Sequence, residues 1–343
     1  MTLILGIESS CDDTCVALVD SERNIISNII SSQHDEHAKY KGVVPEIASR
    51  LHLLNIKHLA ESALANHDIR SLAAVAATGG PGLIGGLITG VTFAKAISSS
   101  LGIPFIAINH LEGHALTVRL THGIKYPYLL LLMSGGHCQF VAVLGLGRYT
   151  VLGSTLDDAL GEVFDKLAKM LNLGYPGGPI VEDYARNGNP YAFALPHPLM
   201  NEPGSDLSFS GLKTSLRHLI LSLGTLSQKH VADICASFQY TVGRVLVRKC
   251  MHAIDAFRKL AASKEANTLV LSGGVAANLY LRQIIGDFAE KQDFILIAPP
   301  LRLCTDNAAM IAWAAQERFK FGQSTQMYFR PLSRWPMDSL SIS

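Results

Sequence analysis

Three absences bound what this sequence can encode. No stretch of about 18 uncharged apolar residues occurs, and the opening MTLILGIESS moves straight into a strand pattern without a basic leader or a small-residue cleavage site. No membrane association is expected, and the cytoplasm is the expected compartment. The six cysteines, at 11, 15, 138, 235, 250 and 304, include no CxxC pair, so reduced thiols are the expectation for a chain of this size. Excess charge is lacking too. With 29 basic against 28 acidic side chains the net charge is +1, so overall charge makes no electrostatic case for a polyanion partner. Any nucleic-acid surface must be local or supplied by another subunit.

What is present is apolar mass. At 343 residues and 48% hydrophobic composition the chain is too apolar for disorder and too long for one ordinary core, which implies two domains. A pattern occurs twice: an apolar run, a short polar turn, and a second apolar run. It appears as Leu3–Ile7, ESSCDDT, Cys15–Val19, and again as Tyr128–Met133, SGGH, Gln139–Leu144. Each reads as an antiparallel hairpin, and a repeat half a chain apart implies duplicated domains. Helical patterns over Pro45–Asn66, Asp157–Leu171, Val231–Leu260 and Asn307–Phe321 alternate with buried strands at Ala73–Ala77, Ile103–Ile108 and Thr268–Leu271. The class is therefore α/β, with two lobes and a ligand-sized cleft expected between them.

NHLEGH places His110 and His114 four residues apart, so on a helix both imidazoles face one side and can share an ion. The alternative is a pair of histidines that merely sit near a domain junction. Glu112 falls two positions after His110, roughly 200° around the helix, where it is badly placed as a general base for a metal-bound water. Asp306, in CTDNAAMIA, is the leading third ligand, yet it precedes an apolar helix and reads equally as its N-cap, a role open to Asn307 as well. SGGH and SGGVAAN each follow a buried strand, where paired glycines let backbone N–H groups approach an anion; a plain turn is the other reading. GGPGLIGG lacks the Lys-Ser/Thr of a P-loop and reads as a packing turn. In GEVFDKLAKML, an i,i+4 pair of Glu162 and Lys166 accounts for the charges, and Asp165 matters only if its face meets ligand.

In order, the strings GIESSCDDT, KGVVPEIASR, GGPGL, NHLEGH, SGGH, GEVFDK, YPGGP, SFSGLKT, SGGVAAN and CTDNAAMIA closely resemble one family, the tRNA N6-adenosine threonylcarbamoyltransferases (TsaD), formerly labelled O-sialoglycoprotein endopeptidases. The resemblance runs from about Leu3 to Pro336. It departs from the family pattern at Asp13, Cys138 and the Leu332–Ser333 insertion, none of which is a proposed ligand.

The resemblance implies a duplicated actin/Hsp70-like (ribonuclease H-like) fold: a first lobe of residues 1–108 with a returning 307–343, a metal-bearing junction at 109–126, and a second lobe at 127–306. It implies transfer of a threonylcarbamoyl group from threonylcarbamoyl-AMP to N6 of adenosine 37 in tRNAs reading codons that begin with A. His110, His114 and Asp306 would hold one divalent metal, Fe(II) ahead of Zn(II). Met133, Ser134, Gly135, Gly136, His137, Asp165, Gly178 and Asn278 would contact the adenylate, and Asp12 would be catalytic. A TsaB-like dimerisation partner and a TsaE-like ATPase are the implied protein partners. Three other readings compete: a metal-dependent glycoprotein endopeptidase, a small-molecule phosphotransferase of the same fold, and a metal-free scaffold subunit. The misplaced Glu112 weighs against the first, and joint retention of both histidines and Asp306 against the last.

Overall fold

The structure is a computed structural model that describes residues 2–40, 42–261 and 266–341; Lys41, which opens the KGVVPEIASR string, lies outside the described residues. The chain divides into two compact units. The first comprises Met1–Lys125, Leu146–Tyr149 and Pro299–Ser343, and the second Tyr126–Gly145 and Thr150–Ala298.

Unit 1 begins with β1 (Leu3–Glu8), β2 (Asp13–Asp20) and β3 (Ile25–Ser32), followed by α1 (His34–Ala38), α2 (Pro45–Ala63), β4 (Leu72–Gly80), α3 (Ile84–Leu101), β5 (Phe105–Asn109) and α4 (His110–His122). Unit 2 carries β6 (Tyr128–Met133), β7 (Cys138–Gly145), most of β8 (Arg148–Ser154), α5 (Leu160–Met170), α6 (Gly177–Ala185), α7 (Ser210–Leu223), α8 (Gln228–Ala261), β9 (Thr268–Ser272), α9 (Leu279–Glu290) and β10 (Ile295–Ile297). The chain then returns to unit 1 as α10 (Ala308–Phe319).

Both sheets follow one plan. The first runs β3-β2-β1-β4-β5 and the second β8-β7-β6-β9-β10, so each hairpin is extended on the far side of its first strand by two parallel strands. The repeat seen in the sequence is therefore a repeat of topology. Strands β1 and β6 are buried at every residue, as expected of central strands covered on both faces, and this is why they read as continuous apolar runs.

The two hairpin turns differ in what they meet. In unit 1, GGPGLIGG closes on the β1–β2 turn: Leu83 N donates to Ser10 O at 2.7 Å, and a Cβ on Gly82 would lie 2.6 Å from the same oxygen. The glycines permit backbone contact that any side chain would block, as a packing turn requires. Among the described residues one helix, α3, is long and apolar enough by length and composition to cross a membrane; it packs on β4 and α2, and its Lys95 donates to Phe329 O at 2.6 Å.

In unit 2 the SFSGLKT string starts α7 without a capping side chain of its own. Asp157 supplies it: one oxygen accepts Phe209 N at 2.7 Å and Ser210 N at 3.2 Å, and the other accepts the Ser208 and Ser210 hydroxyls at 2.6 Å each. Burial would raise the Asp157 pKa, but these donors hold it down at about 2.

Candidate metal and anion sites

Helix α4 is fixed at both ends. Asn109 accepts Leu111 N at 2.9 Å and Glu112 N at 3.3 Å, and Gly123 terminates the helix at φ 64°. His110 therefore occupies the first turn and His114 the next, both buried. Helix α10 has the opposite end of the arrangement. Asn307, not Asp306, is its N-cap, accepting Met310 N at 3.1 Å. The cap reading of Asp306 is thus overturned, because the neighbouring amide already fills that role and leaves the carboxylate to turn toward α4.

Asp306 Oδ1 lies 3.1 Å from His114 Nε2 and 3.5 Å from His110 Nε2, and one ligand atom from each residue falls within 4.8 Å of the others. Donors bound to one ion at about 2.0–2.2 Å stand roughly 3–4 Å apart, so this set fits a metal with no large rearrangement. Behind it, His110 Nδ1 meets Glu8 Oε2 at 2.9 Å and Ser10 Oγ at 3.1 Å. Burial alone would lower the His110 pKa, yet the carboxylates of Asp306 and Glu8 raise it to about 9. Burial likewise pushes Glu8 up, and His110 pulls it back below the usual carboxylate range. Glu8 closes β1 as a charge at the end of an apolar run, and that position is the one local signal the sequence carries for it.

Glu112 is fully occupied elsewhere. Tyr149 OH donates to Oε1 at 2.7 Å, while Arg318 of α10 donates to both oxygens at 2.7 and 2.8 Å. It ties α4 to α10. Asp12 lies largely buried in the β1–β2 turn with Oδ2 3.8 Å from His34 Nδ1. Burial raises the neighbouring Cys11 thiol well above its ordinary value, and the carboxylates of Asp12 and Asp306 raise it further.

The remaining predicted residues belong to unit 2. The SGGH turn is closed by Ser134 N donating to His137 O at 2.7 Å and His137 N to Ser134 Oγ at 3.1 Å. Met133 and Ser134 are buried, whereas Gly135 and Gly136 are exposed with open space where a Cβ would stand. The start of α5 abuts this turn through Gly161 N and Ser134 O at 3.2 Å, and Gly273 of the SGGVAAN loop is held at φ 90° against Met133. Both glycine-rich loops and one helix N-terminus therefore converge, an arrangement suited to an anion.

Asp165 Oδ1 accepts Gly177 N at 2.7 Å and so anchors the first turn of α6, where Gly178 faces open space. Asn278 caps α9 through Leu281 N at 2.9 Å, and its amide donates to Gln239 Oε1 at 2.8 Å. Beside it lies a cavity of about 610 Å³ lined by Glu182, Arg186, Gln239 and Tyr280, large enough for a nucleoside. Glu182 and Gln239 were not singled out from the sequence, since an acid and an amide on helices carry no local motif.

The family model described as TsaD, tRNA N6-adenosine threonylcarbamoyltransferase, matches residues 24–313. Proteins named tRNA N6-adenosine threonylcarbamoyltransferase from Rickettsia bellii (strain OSU 85-389) and Rickettsia canadensis (strain McKiel) are each 54% identical over 342 residues, covering 99% of this chain and 100% of theirs. The protein of that name from Rickettsia rickettsii (strain Sheila Smith) is 52% identical over 343 residues, with the same coverage. Among solved structures, HypF of T. kodakarensis superposes with a TM-score of 0.62 at 13% identity, over 93% of this chain and 48% of that one. Component A of (R)-2-hydroxyglutaryl-CoA dehydratase from Acidaminococcus fermentans does so with a TM-score of 0.53 at 14% identity, over 93% and 99%. Likeness at such identity bears on the fold alone, which is the duplicated actin/Hsp70-like α/β fold.

Proposed function

The chain belongs to the tRNA N6-adenosine threonylcarbamoyltransferase (TsaD) family, and from that premise we propose how its own residues carry out the transfer. The protein is a transferase that modifies tRNA, placing a threonylcarbamoyl group on N6 of adenosine 37. The observation that carries the mechanistic reading is the convergence of His110, His114 and Asp306 on one point.

The chemistry sets the requirements. The lone pair of adenine N6 is delocalised into the ring, so the amine is a poor nucleophile that needs an activated acyl donor and close placement. A mixed anhydride with AMP, threonylcarbamoyl-AMP, meets the first need. The exposed, side-chain-free Gly135 and Gly136 let the donor's anionic oxygens approach the backbone, where N–H groups stabilise charge growing on the carbonyl and on the departing phosphate. Asp165 keeps the first turn of α6 in place for Gly178, and Asn278 borders the cavity that takes the adenosine moiety. Asp12, in the β1–β2 turn, is assigned as a catalytic residue.

His110, His114 and Asp306 are the residues that would hold a divalent metal, and two imidazoles with one carboxylate suit Fe(II), our first assignment, or Zn(II) rather than Mg(II). A metal held by these three residues would supply Lewis-acid polarisation of the acyl donor. A glycoprotein endopeptidase would need Glu112 as a base, and Glu112 is committed to Arg318 and Tyr149. A cytoplasmic setting, a TsaB-like dimerisation partner and a TsaE-like ATPase complete the proposal.

Nucleoside mass spectrometry of tRNA from bacteria depleted of this protein tests the function. Loss of threonylcarbamoyladenosine, restored by the wild-type chain but not by His114→Ala, is expected; unchanged modification would remove the chain from the reaction.

A further inference from the structure

We propose that Glu8 is a positioning residue for the metal site, acting through His110, an inference that rests on the metal reading above. Glu8 is 1% exposed and ends the central strand of unit 1, so its carboxylate cannot be solvated and must be satisfied by protein. Three donors meet it. Ser10 N–H points at Oε1 at 2.5 Å, the Thr78 hydroxyl of β4 at Oε2 at 2.5 Å, and His110 Nδ1 at Oε2 at 2.9 Å.

A backbone N–H can only donate, which fixes Oε1 as an acceptor. The Thr78 hydroxyl, lying on the neighbouring strand, donates to Oε2 and restrains it. Oε2 then accepts the proton on His110 Nδ1, with Ser10 Oγ as a second neighbour of the same nitrogen at 3.1 Å. That arrangement commits Nδ1 to Glu8, so Nε2, the atom 3.5 Å from Asp306, is the ring nitrogen left to face a metal. A carboxylate behind a ligating imidazole both sets the tautomer and makes the ring a better donor, and losing such a partner typically weakens metal binding about 10–100-fold.

Glutamine is the informative replacement because it keeps the shape. If its carbonyl keeps the Ser10 N–H, its NH2 must face His110 Nδ1 and drive the ring proton onto Nε2, against the metal. If it turns over, two N–H groups collide at Ser10. Either way one face of the network is mismatched, and His110 is the side chain able to change its protonation pattern in response.

The test uses the full chain and Co(II) alone, read by competition with a chromophoric chelator and by the visible absorption of the bound ion. Four proteins are compared: wild type, Glu8→Gln, His110→Ala and the double variant. The expected result is a loss of Co(II) affinity of about 10–100-fold in Glu8→Gln, an altered absorption band, and no further loss on adding Glu8→Gln to His110→Ala. An affinity within twofold of wild type in Glu8→Gln, with His110→Ala weakened, overturns the proposal while leaving the metal site standing. An equal loss from Glu8→Gln in both backgrounds overturns it as well, since the effect then does not pass through His110. Wild-type affinity retained in His110→Ala instead removes the metal reading itself. Thr78→Val, which keeps Glu8 but loosens it, supplies a graded check: a loss smaller than that of Glu8→Gln supports the proposal, and a larger one contradicts it.

Discussion

Arg318 grips Glu112 with two parallel hydrogen bonds, Nε to Oε2 at 2.7 Å and Nη2 to Oε1 at 2.8 Å, and Glu112 is completely buried. This bidentate pair joins the helix that carries both histidines to the helix that begins just after Asp306. Removing one member leaves the other charge buried and unpaired. Arg318→Leu is expected to cost roughly 3–5 kcal/mol of stability, measured by urea unfolding of the metal-free protein. A cost under 1 kcal/mol would mean that the pair contributes little to fixing the two helices.

Asp306 and Asn307 divide two roles between adjacent positions, and substitution separates them. Asn307→Ala removes the cap on α10 and is expected to cost about 1 kcal/mol, with metal affinity kept. Asp306→Ala removes a ligand and is expected to abolish tight Co(II) binding while leaving the Asn307 cap on α10 in place. The reverse pattern in denaturation and metal titration would exchange the assignments.

The acid limb of stability has an identifiable contributor. Asp157 is held at a pKa of about 2 in the folded state, against about 4 in an unfolded chain. A carboxyl depressed by folding stabilises the protein above its unfolded pKa, and that contribution fades as pH falls from about 4 through 2. Asp157→Asn should therefore flatten the loss of stability over that window and lower stability at neutral pH. Unfolding curves at pH 2, 4 and 7 check it, and equal pH dependence in both proteins would refute the assignment.

Two glycines near the anion loops should respond oppositely. A Cβ on Gly161 would lie 2.7 Å from Ser134 O and 2.8 Å from Gly135 Cα, so Gly161→Ala is expected to cost about 1–3 kcal/mol by displacing the SGGH turn. A Cβ on Gly178 meets nothing within 4 Å, so Gly178→Ala should leave stability unchanged and weaken binding of a nonhydrolysable threonylcarbamoyl-AMP analogue. Calorimetric melting and analogue titration on both variants distinguish an effect on the fold from an effect on the ligand site.

Much of this architecture is legible in the sequence because central strands buried on both faces are continuous apolar runs. LILGIE and YLLLLM announce β1 and β6 without help from their neighbours. The third strand of the first sheet was not legible. Its residues, IISNIISS, are mostly half-exposed, and a mixed apolar and polar edge strand has no strong period. His110 and His114 could be paired from spacing because one helix turn joins them. Asp306 could not be separated from a cap, since the choice depends on which of two adjacent side chains bonds Met310 N, a matter of backbone geometry rather than residue type. Glu8 and Thr78 stayed hidden for another reason: their meeting with His110 spans three strands of a sheet, and no linear motif records register.

The most direct test of the central claim is single-turnover transfer from threonylcarbamoyl-AMP to unmodified tRNA that reads codons beginning with A, with the bacterial protein partners present and the nucleosides analysed by mass spectrometry. The account predicts threonylcarbamoyladenosine at position 37 with the wild-type protein, and its loss in folded His110→Ala and His114→Ala variants. Full transfer by either folded variant would contradict the role given to His110, His114 and Asp306.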